Sequence, residues 1–138
     1  MEPERAASPP PAVRPLVAAL LFAVGTSAWA DWTRIYEDED AVGYIDRATI
    51  KTVSENVRRV SELLDFKRAD PQFKGEWSHR FLVEYDCKEK LVRVVSVTGY
   101  SERMARGRIT NSAEPKSEWS QIGPRSHHVR QLKIVCAK

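Results

Sequence analysis

The sequence has no apolar run of the ~20 residues that a transmembrane helix requires. Its apolar run, Leu16–Val24, ends after nine residues at a Gly-Thr-Ser break, and two arginines precede it. Small residues then flank a tryptophan up to Ala30. This order of regions is typical of a secretory signal peptide. We predict a leader at 1–30, cleavage near Ala30/Asp31, and one mature domain at 31–138 that is periplasmic or secreted.

Cysteine is also scarce. Cys87 and Cys136 are the only two in the chain, and they do not form a Cys-X-X-Cys pair. No cluster of histidines or carboxylates accompanies either cysteine, which disfavours a redox or metal-ligating pair. In an oxidising compartment, two cysteines with one possible connectivity predict a structural disulfide. No cysteine stands near the cleavage site, so we expect no lipid anchor.

Charge of one sign is not concentrated. The net charge of +3 is mild, and a nucleic-acid-binding protein normally shows a denser cationic face. The exception is the group Arg103, Arg106 and Arg108, which lies around a predicted loop. We consider these arginines a possible interaction surface. The alternative is a solvated edge strand whose cations repel other strands.

Motifs for metal binding are missing as well. Adjacent His127 and His128 would point about 100° apart on a helix, so they cannot easily face one ion. The acidic run from Glu37 to Asp40 lacks the ligand spacing and glycine of a calcium loop. We interpret it as a solvated hairpin tip, and we predict no metal and no cofactor.

Catalytic motifs are equally lacking. There is no Gly-X-Ser-X-Gly elbow and no His-Glu-X-X-His helix. Glu62 and Asp65 would point to opposite faces of a strand, so they cannot work as a carboxylate pair. We therefore expect no enzyme.

The mature chain contains a succession of short alternating segments that predict strands. One segment, Asn56–Lys67, carries Glu62 on an otherwise apolar face, which predicts either a bulge or a strand buried on both sides. In the strand at Leu91–Tyr100, even-numbered residues are expected to share a face. Asp46–Ile50 is expected to form a short turn or a single helical turn, with Asp46 available to cap it. The other predicted strands are at 32–36, 42–45, 79–87 and 107–111, and residues 118–122 are expected to form a short apolar-anchored segment.

The period changes near the end of the chain. From a predicted N-cap at Ser126, apolar residues recur every three or four positions, which indicates a C-terminal helix of about ten residues. Arg130 and Lys133 are expected on its outer side. A Cys87–Cys136 bond would clamp this helix onto one face of an antiparallel sheet. The predicted apolar stripe comprises Val129, Leu132, Val135 and Cys136.

An ordered set of short motifs over nearly the whole mature chain resembles the surface-adhesin protein E family of proteobacterial exported proteins. The resemblance implies an α+β, mainly β, fold: a six-stranded antiparallel sheet with a short C-terminal helix tethered to its concave side by a disulfide. It also implies binding to host extracellular-matrix proteins, and a possible homodimer. The motifs are Asp31-Trp32, Gly43-Tyr44-Ile45-Asp46 with Thr49-Ile50, Leu64-Asp65-Phe66-Lys67, Glu84-Tyr85-Asp86-Cys87, Tyr100 and Met104 before Gly107, Trp119, Ile122-Gly123-Pro124 and Val135-Cys136-Ala137-Lys138.

We predict an exported, non-catalytic binding protein of the bacterial envelope that acts by protein–protein recognition. The alternative is a soluble periplasmic accessory or structural protein with no adhesive role. Trp32, Trp77 and Trp119 could line a binding face, since tryptophan is enriched in interface hot spots, or they could close the core. The partner is a protein of unknown identity, not nucleic acid.

Overall fold

The computed structural model describes residues 8–12, 30–70, 75–115 and 117–137. Most of the predicted leader lies outside these described residues. Among the described residues, no helix is long and apolar enough to cross a membrane.

All seven strands of the described residues belong to one antiparallel sheet, in the order β1-β2-β3-β4-β5-β6, and β7 pairs with β5 beside β6. One helix, α1, follows the last strand. The predicted fold class is confirmed. The elements are β1 (Trp32–Glu37), β2 (Ala41–Ser54), β3 (Val57–Asp70), β4 (Glu76–Asp86), β5 (Leu91–Tyr100), β6 (Ile109–Ala113), β7 (Ser120–Gln121) and α1 (His128–Val135).

Aspartates close two of the hairpins. At the β1–β2 turn, the Asp38 Oδ1 atom accepts hydrogen bonds of 2.9 Å from the backbone N–H groups of Asp40 and Ala41. At the β4–β5 turn, Asp86 Oδ1 accepts bonds of 3.0 and 2.9 Å from the backbone N–H groups of Lys88 and Glu89. Side chains of this length favour such local turns over continued strand. The acidic run therefore forms a hairpin tip, as predicted.

The turn predicted at Asp46–Ile50 is wrong, because β2 continues through it to Ser54. The local turn-like bonds do form: Asp46 Oδ1 accepts from the Ala48 amide at 3.1 Å, and the Thr49 hydroxyl donates to the Asp46 carbonyl at 2.7 Å. They are accommodated by a bulge in β2, where pairing with β3 shifts between Asp46 and Lys51. A bulge adds residues to one strand without ending it.

The two alternatives for the third strand are resolved in favour of burial on both sides. Pairing of β3 with β4 is unbroken from Val57 to Asp65. Ser61, Glu62 and Leu63 are consecutive, so they face alternate sides, and all three are buried.

The face predicted for β5 is correct only in its first half. Val94 pairs with Val83, but Ser96 pairs with Leu82, so the register shifts at Val95. Directly opposed residues share a face. The even-numbered residues therefore change side after Val94, because the bulge inserts an extra residue.

The helix packs its buried side on a cluster of apolar residues from five strands. Its C-terminus is held in two ways. The Cys87–Cys136 disulfide joins Cα atoms 5.6 Å apart, and the Arg58 guanidinium donates 2.8 and 2.7 Å bonds to the carbonyls of Val135 and Ala137. Cations favour helix C-termini. The buried cluster contains Ile35, Ile45, Val60, Val83, Tyr85, Val92 and Val135.

The predicted helix stripe needs correction. α1 is eight residues long, and its buried residues are Gln131 and Val135, whereas Val129 and Leu132 are half-buried. Ser126 Oγ does accept from the His128 amide at 3.2 Å, although the helix N-cap is His127. Arg130 is not simply an outer residue, since its guanidinium donates to the Ile35 carbonyl of β1.

Candidate functional site

A polar cluster is buried between α1 and the sheet. It is centred on Glu62 of β3, which is only 6% exposed. The Tyr85 hydroxyl of β4 donates to Glu62 Oε1, and Gln131 Nε2 of α1 donates to Glu62 Oε2 at 2.7 Å. The Tyr85 hydroxyl also lies 3.2 Å from His128 Nδ1. Both carboxylate oxygens of a buried acid are thus occupied, as burial of a polar group requires.

This environment shifts the titration of the cluster. Burial raises the pKa of Glu62 to about 7, although the hydrogen bond from Tyr85 acts in the opposite direction. Burial, together with the neighbouring His127, lowers the pKa of His128 to about 4. Burial and the nearby Glu62 raise the pKa of Tyr85. The charged form of each group is disfavoured for the same reason, namely the loss of solvent.

A partly enclosed cavity of about 200 Å³ lies beside this cluster. One side is apolar and is formed by residues of β3, β4 and β5. The other side consists of Glu62, His128 and Gln131. The apolar wall includes Leu64, Phe81, Val83 and Val94.

An aromatic pair forms part of the cavity rim. The rings of Tyr36 and His127 stack with centroids 4.4 Å apart. Tyr36 can lie here because it is opposite Gly43 on β2, where a Cβ atom would overlap the tyrosine ring. Burial raises the pKa of Tyr36 to about 12, and the charges of Asp38 and Glu62 add to that effect.

One polar atom of a residue that lines the cavity has no hydrogen-bond partner among the described residues. This atom is Oε1 of Gln131, which is buried. Leaving a buried acceptor unsatisfied costs about 1–3 kcal/mol. Such an atom in a folded protein calls for an explanation, of which a bound molecule is one.

The histidines do not gather into a metal site. The rings of His127 and His128 are 4.3 Å apart by centroid. Within the described part of the chain, no group of three or more His, Cys, Asp or Glu side chains could hold a metal ion. His79 lies on β4, where its Nε2 atom is 2.5 Å from the Glu76 carboxylate and its ring packs edge-on against Phe66.

The arginine group predicted as an interaction surface lies in the loop between β5 and β6. Arg103 is anchored, since its Nε and Nη2 atoms contact Asp65 Oδ2 at 2.9 and 2.7 Å. The Met104 amide donates to the other oxygen of Asp65 at 2.7 Å. Asp65 thus lies on the face opposite Glu62, as predicted. Arg106 and Arg108 are exposed on the same loop.

The sheet face opposite α1 carries a row of residues that are paired across five strands. The register places Arg34, Tyr44, Leu63, Arg80 and Thr98 side by side. A second row is formed by Trp32, Asp46, Ser61, Leu82 and Ser96. We call these two rows the open face, because no described helix packs on it.

Beside the open face, a buried carboxylate bridges two arginines. Glu84 contacts Arg59 at 3.1 Å and Arg93 at 2.8 Å. The Arg93 guanidinium lies over the Trp119 ring, 4.4 Å from its centroid. Arginine stacked on tryptophan is a favourable cation–π geometry. Trp119 is thus placed at the sheet surface rather than in the core.

The fold resembles solved structures of protein E from Haemophilus influenzae. The selenomethionine form has a TM-score of 0.57 at 17% identity, and the match covers 77% of this chain and 85% of that chain. A crystal structure from the non-typeable bacterium also has a TM-score of 0.57 at 17% identity, and the match covers 81% of this chain and 79% of that chain. No curated protein sequence matches.

The family model described as surface-adhesin protein E matches residues 32–137. The chain belongs to that family. The likeness to the protein E structures establishes the shared fold, and the family match covers nearly all of the predicted mature domain.

In this member of the surface-adhesin protein E family, sequence reasoning missed the buried polar cluster. The sequence indicates Glu62 as an irregularity in an apolar face and as a carboxylate that cannot pair with Asp65, and it does not single out Gln131. A usable signal was present: Gln131 lies four residues before Val135 on the buried side of the helix. A polar residue at that spacing predicts a polar partner on the sheet.

Proposed function

We propose that this protein is exported and recognises an acidic surface of a protein partner through its open face, together with the Arg103–Arg108 loop. The observation that carries the proposal is the row Arg34, Tyr44, Leu63, Arg80 and Thr98, in which Arg34 and Arg80 are exposed and Leu63 is buried. Arginine, tyrosine and tryptophan are the residues enriched in interface hot spots. Membership of a surface-adhesin family supports a non-catalytic binding role.

The charges beside the rows favour an acidic partner. Arg59 and Arg93 share the single carboxylate of Glu84, so that group keeps a net positive charge. Arg103 is paired with Asp65 but remains 52% exposed. Charge complementarity steers association and fixes orientation.

The open face combines charge with apolar surface. Arg80 is exposed, and Tyr44 and Leu82 beside it are half-buried. A protein interface uses such a mixture, with aromatic anchors and a polar rim. The Arg103–Arg108 loop adjoins the same face, because Ser78 of β4 donates to the Glu102 carbonyl at 2.6 Å.

The experiment places a photo-crosslinking residue at Arg80 in the exported protein, in cells that produce it. Arg125, an exposed arginine that follows β7 and lies beside the α1 side of the fold, provides the matched control position. We expect a discrete crosslinked protein from position 80 and none from position 125. Equal crosslinking from both positions, or none from position 80, contradicts the proposal.

Export is part of the proposal and has its own test. Fractionation of the same cells, followed by protease treatment of intact cells, reports where the mature chain resides. Protease-sensitive protein on the cell exterior supports an adhesive role. Confinement to the periplasm contradicts that role and leaves an accessory function in the envelope.

A further inference from the structure

We infer that the cavity between α1 and the sheet binds a small alkylammonium group, with the ammonium between Glu62 and Gln131 and the alkyl part against Phe81, Val83 and Val94. This inference is separate from the open face and its proposed partner, because it concerns the opposite side of the sheet.

The polar end of the cavity calls for a donor. Gln131 Oε1 is a buried acceptor with no partner among the described residues, and Gln131 is only 2% exposed. Glu62 also accepts through both oxygens, and each carboxylate oxygen has capacity for a second bond. A ligand that donates several hydrogen bonds satisfies these atoms, whereas an acceptor ligand does not.

The charges around the cavity select a cation. No lysine or arginine is among the described residues that line it, although the chain as a whole carries a net charge of +3. Among the described residues of the lining, Glu62 provides the only carboxylate. A buried carboxylate without a positive neighbour is stabilised by a bound ammonium. The Tyr36 ring at the rim adds a surface that attracts cations.

The size and the walls limit the ligand. An apolar cavity of about 150 Å³ accommodates benzene, so the about 200 Å³ found here fits roughly six to eight non-hydrogen atoms. The apolar wall matches a short alkyl chain, and its burial supplies about 0.8 kcal/mol per CH₂ group. Free amines and lysine side chains both have this chemistry.

Binding is expected to depend on the ionisation of Glu62. Its pKa is about 7 because of burial, so a cation binds more tightly as the pH rises from 5 to 8. The other titratable groups that face it from β1, β4 and α1 are all shifted toward their neutral forms, because the pKa is raised for the tyrosines and lowered for the histidines. These groups are Tyr36, Tyr85, His127 and His128.

The test is an NMR titration of the full mature chain in phosphate buffer with n-butylammonium, and with n-butanol as its neutral counterpart. We expect saturable shifts at Val83 and His128, and binding of butylammonium about tenfold tighter than that of butanol at pH 8, as a hydrogen bond to a charged group provides. The Glu62→Gln variant should bind butylammonium and butanol with equal affinity. The exposed Glu89→Gln variant should keep it.

A second pair of variants guards against a folding defect. Val94→Phe fills the cavity and should abolish the shifts, whereas Val95→Phe alters the neighbouring residue, which lines the opposite face, and should preserve them. Nα-acetyl-lysine amide distinguishes the source of the ligand: binding indicates a lysine side chain of a peptide, and exclusion indicates a free amine. Equal affinity for butanol and butylammonium, or unchanged binding in Glu62→Gln, overturns the inference.

Discussion

Replacing Glu62 by glutamine should change how stability depends on pH. In the unfolded chain this carboxyl titrates near 4.5, and in the folded chain its pKa is about 7 because it is buried. Between these values only the unfolded chain ionises, so the free energy of unfolding falls as the pH rises. A shift of about 2.5 pH units corresponds to about 3 kcal/mol, fully lost above pH 7.

His128 has the opposite effect. Burial lowers its pKa from 6.5 to about 4, so between these values only the unfolded chain takes up the proton. Stability due to His128 therefore falls as the pH decreases. From pH 4.5 to 6.5 the two contributions have opposite signs. We therefore expect this pair to change the free energy of unfolding of the wild-type protein little between these pH values. In the Glu62→Gln variant, only the pH dependence due to His128 should remain.

The assay is urea unfolding followed by tryptophan fluorescence from pH 4 to pH 8, in buffers that contain no amine. The stability of Glu62→Gln minus that of wild type should increase by about 3 kcal/mol from pH 4 to pH 8. Glu89→Gln, in the exposed β4–β5 turn, should run parallel to wild type. Parallel curves for Glu62→Gln and wild type would refute the assignment of a buried, elevated carboxyl.

Three further predictions concern contacts that hold the helix and the arginine loop. The double variant Cys87→Ala with Cys136→Ala should lose about 4 kcal/mol in urea unfolding, because it frees a loop with a sequence separation of 49 residues; a loss below about 1 kcal/mol contradicts this. Arg58→Met should cost about 1–2 kcal/mol and speed amide exchange in α1, and unchanged exchange contradicts the capping role. Asp65→Asn should cost about 2–3 kcal/mol and unprotect the Met104 amide, whereas a protected amide shows that the loop is held by other means.

The strands could be predicted because their pattern is local in the sequence, and the disulfide could be predicted because only two cysteines are present. The alternation of polar and apolar residues predicts β1, β4 and the hairpins. Two cysteines allow only one disulfide pairing. The change of face in β5 could not be predicted, since the bulge at Val95 arises from the register with β4. Nothing in the Val-rich segment itself distinguishes the extra residue. The turn prediction at Asp46–Ile50 was wrong for a related reason. The local turn-like hydrogen bonds form there, but pairing with β3 resumes at Lys51, so the strand continues.

The site residues depended on contacts between distant parts of the chain. Gln131 and Glu62 are 69 residues apart. The sequence of the helix by itself predicts that a glutamine is exposed to solvent. Arg103 was grouped with Arg106 and Arg108 by proximity in sequence. Its partner Asp65 is 38 residues away, so Arg103 is structural as well as exposed.

The disulfide determines how the molecule would carry mechanical load. Cys87 stands immediately after β4, which lies between β3 and β5 in the sheet order, and Cys136 lies near the carboxyl end. Tension applied to that end passes through the sulfur bridge into the middle of the sheet. That tension therefore bypasses the noncovalent contacts between the helix and the sheet.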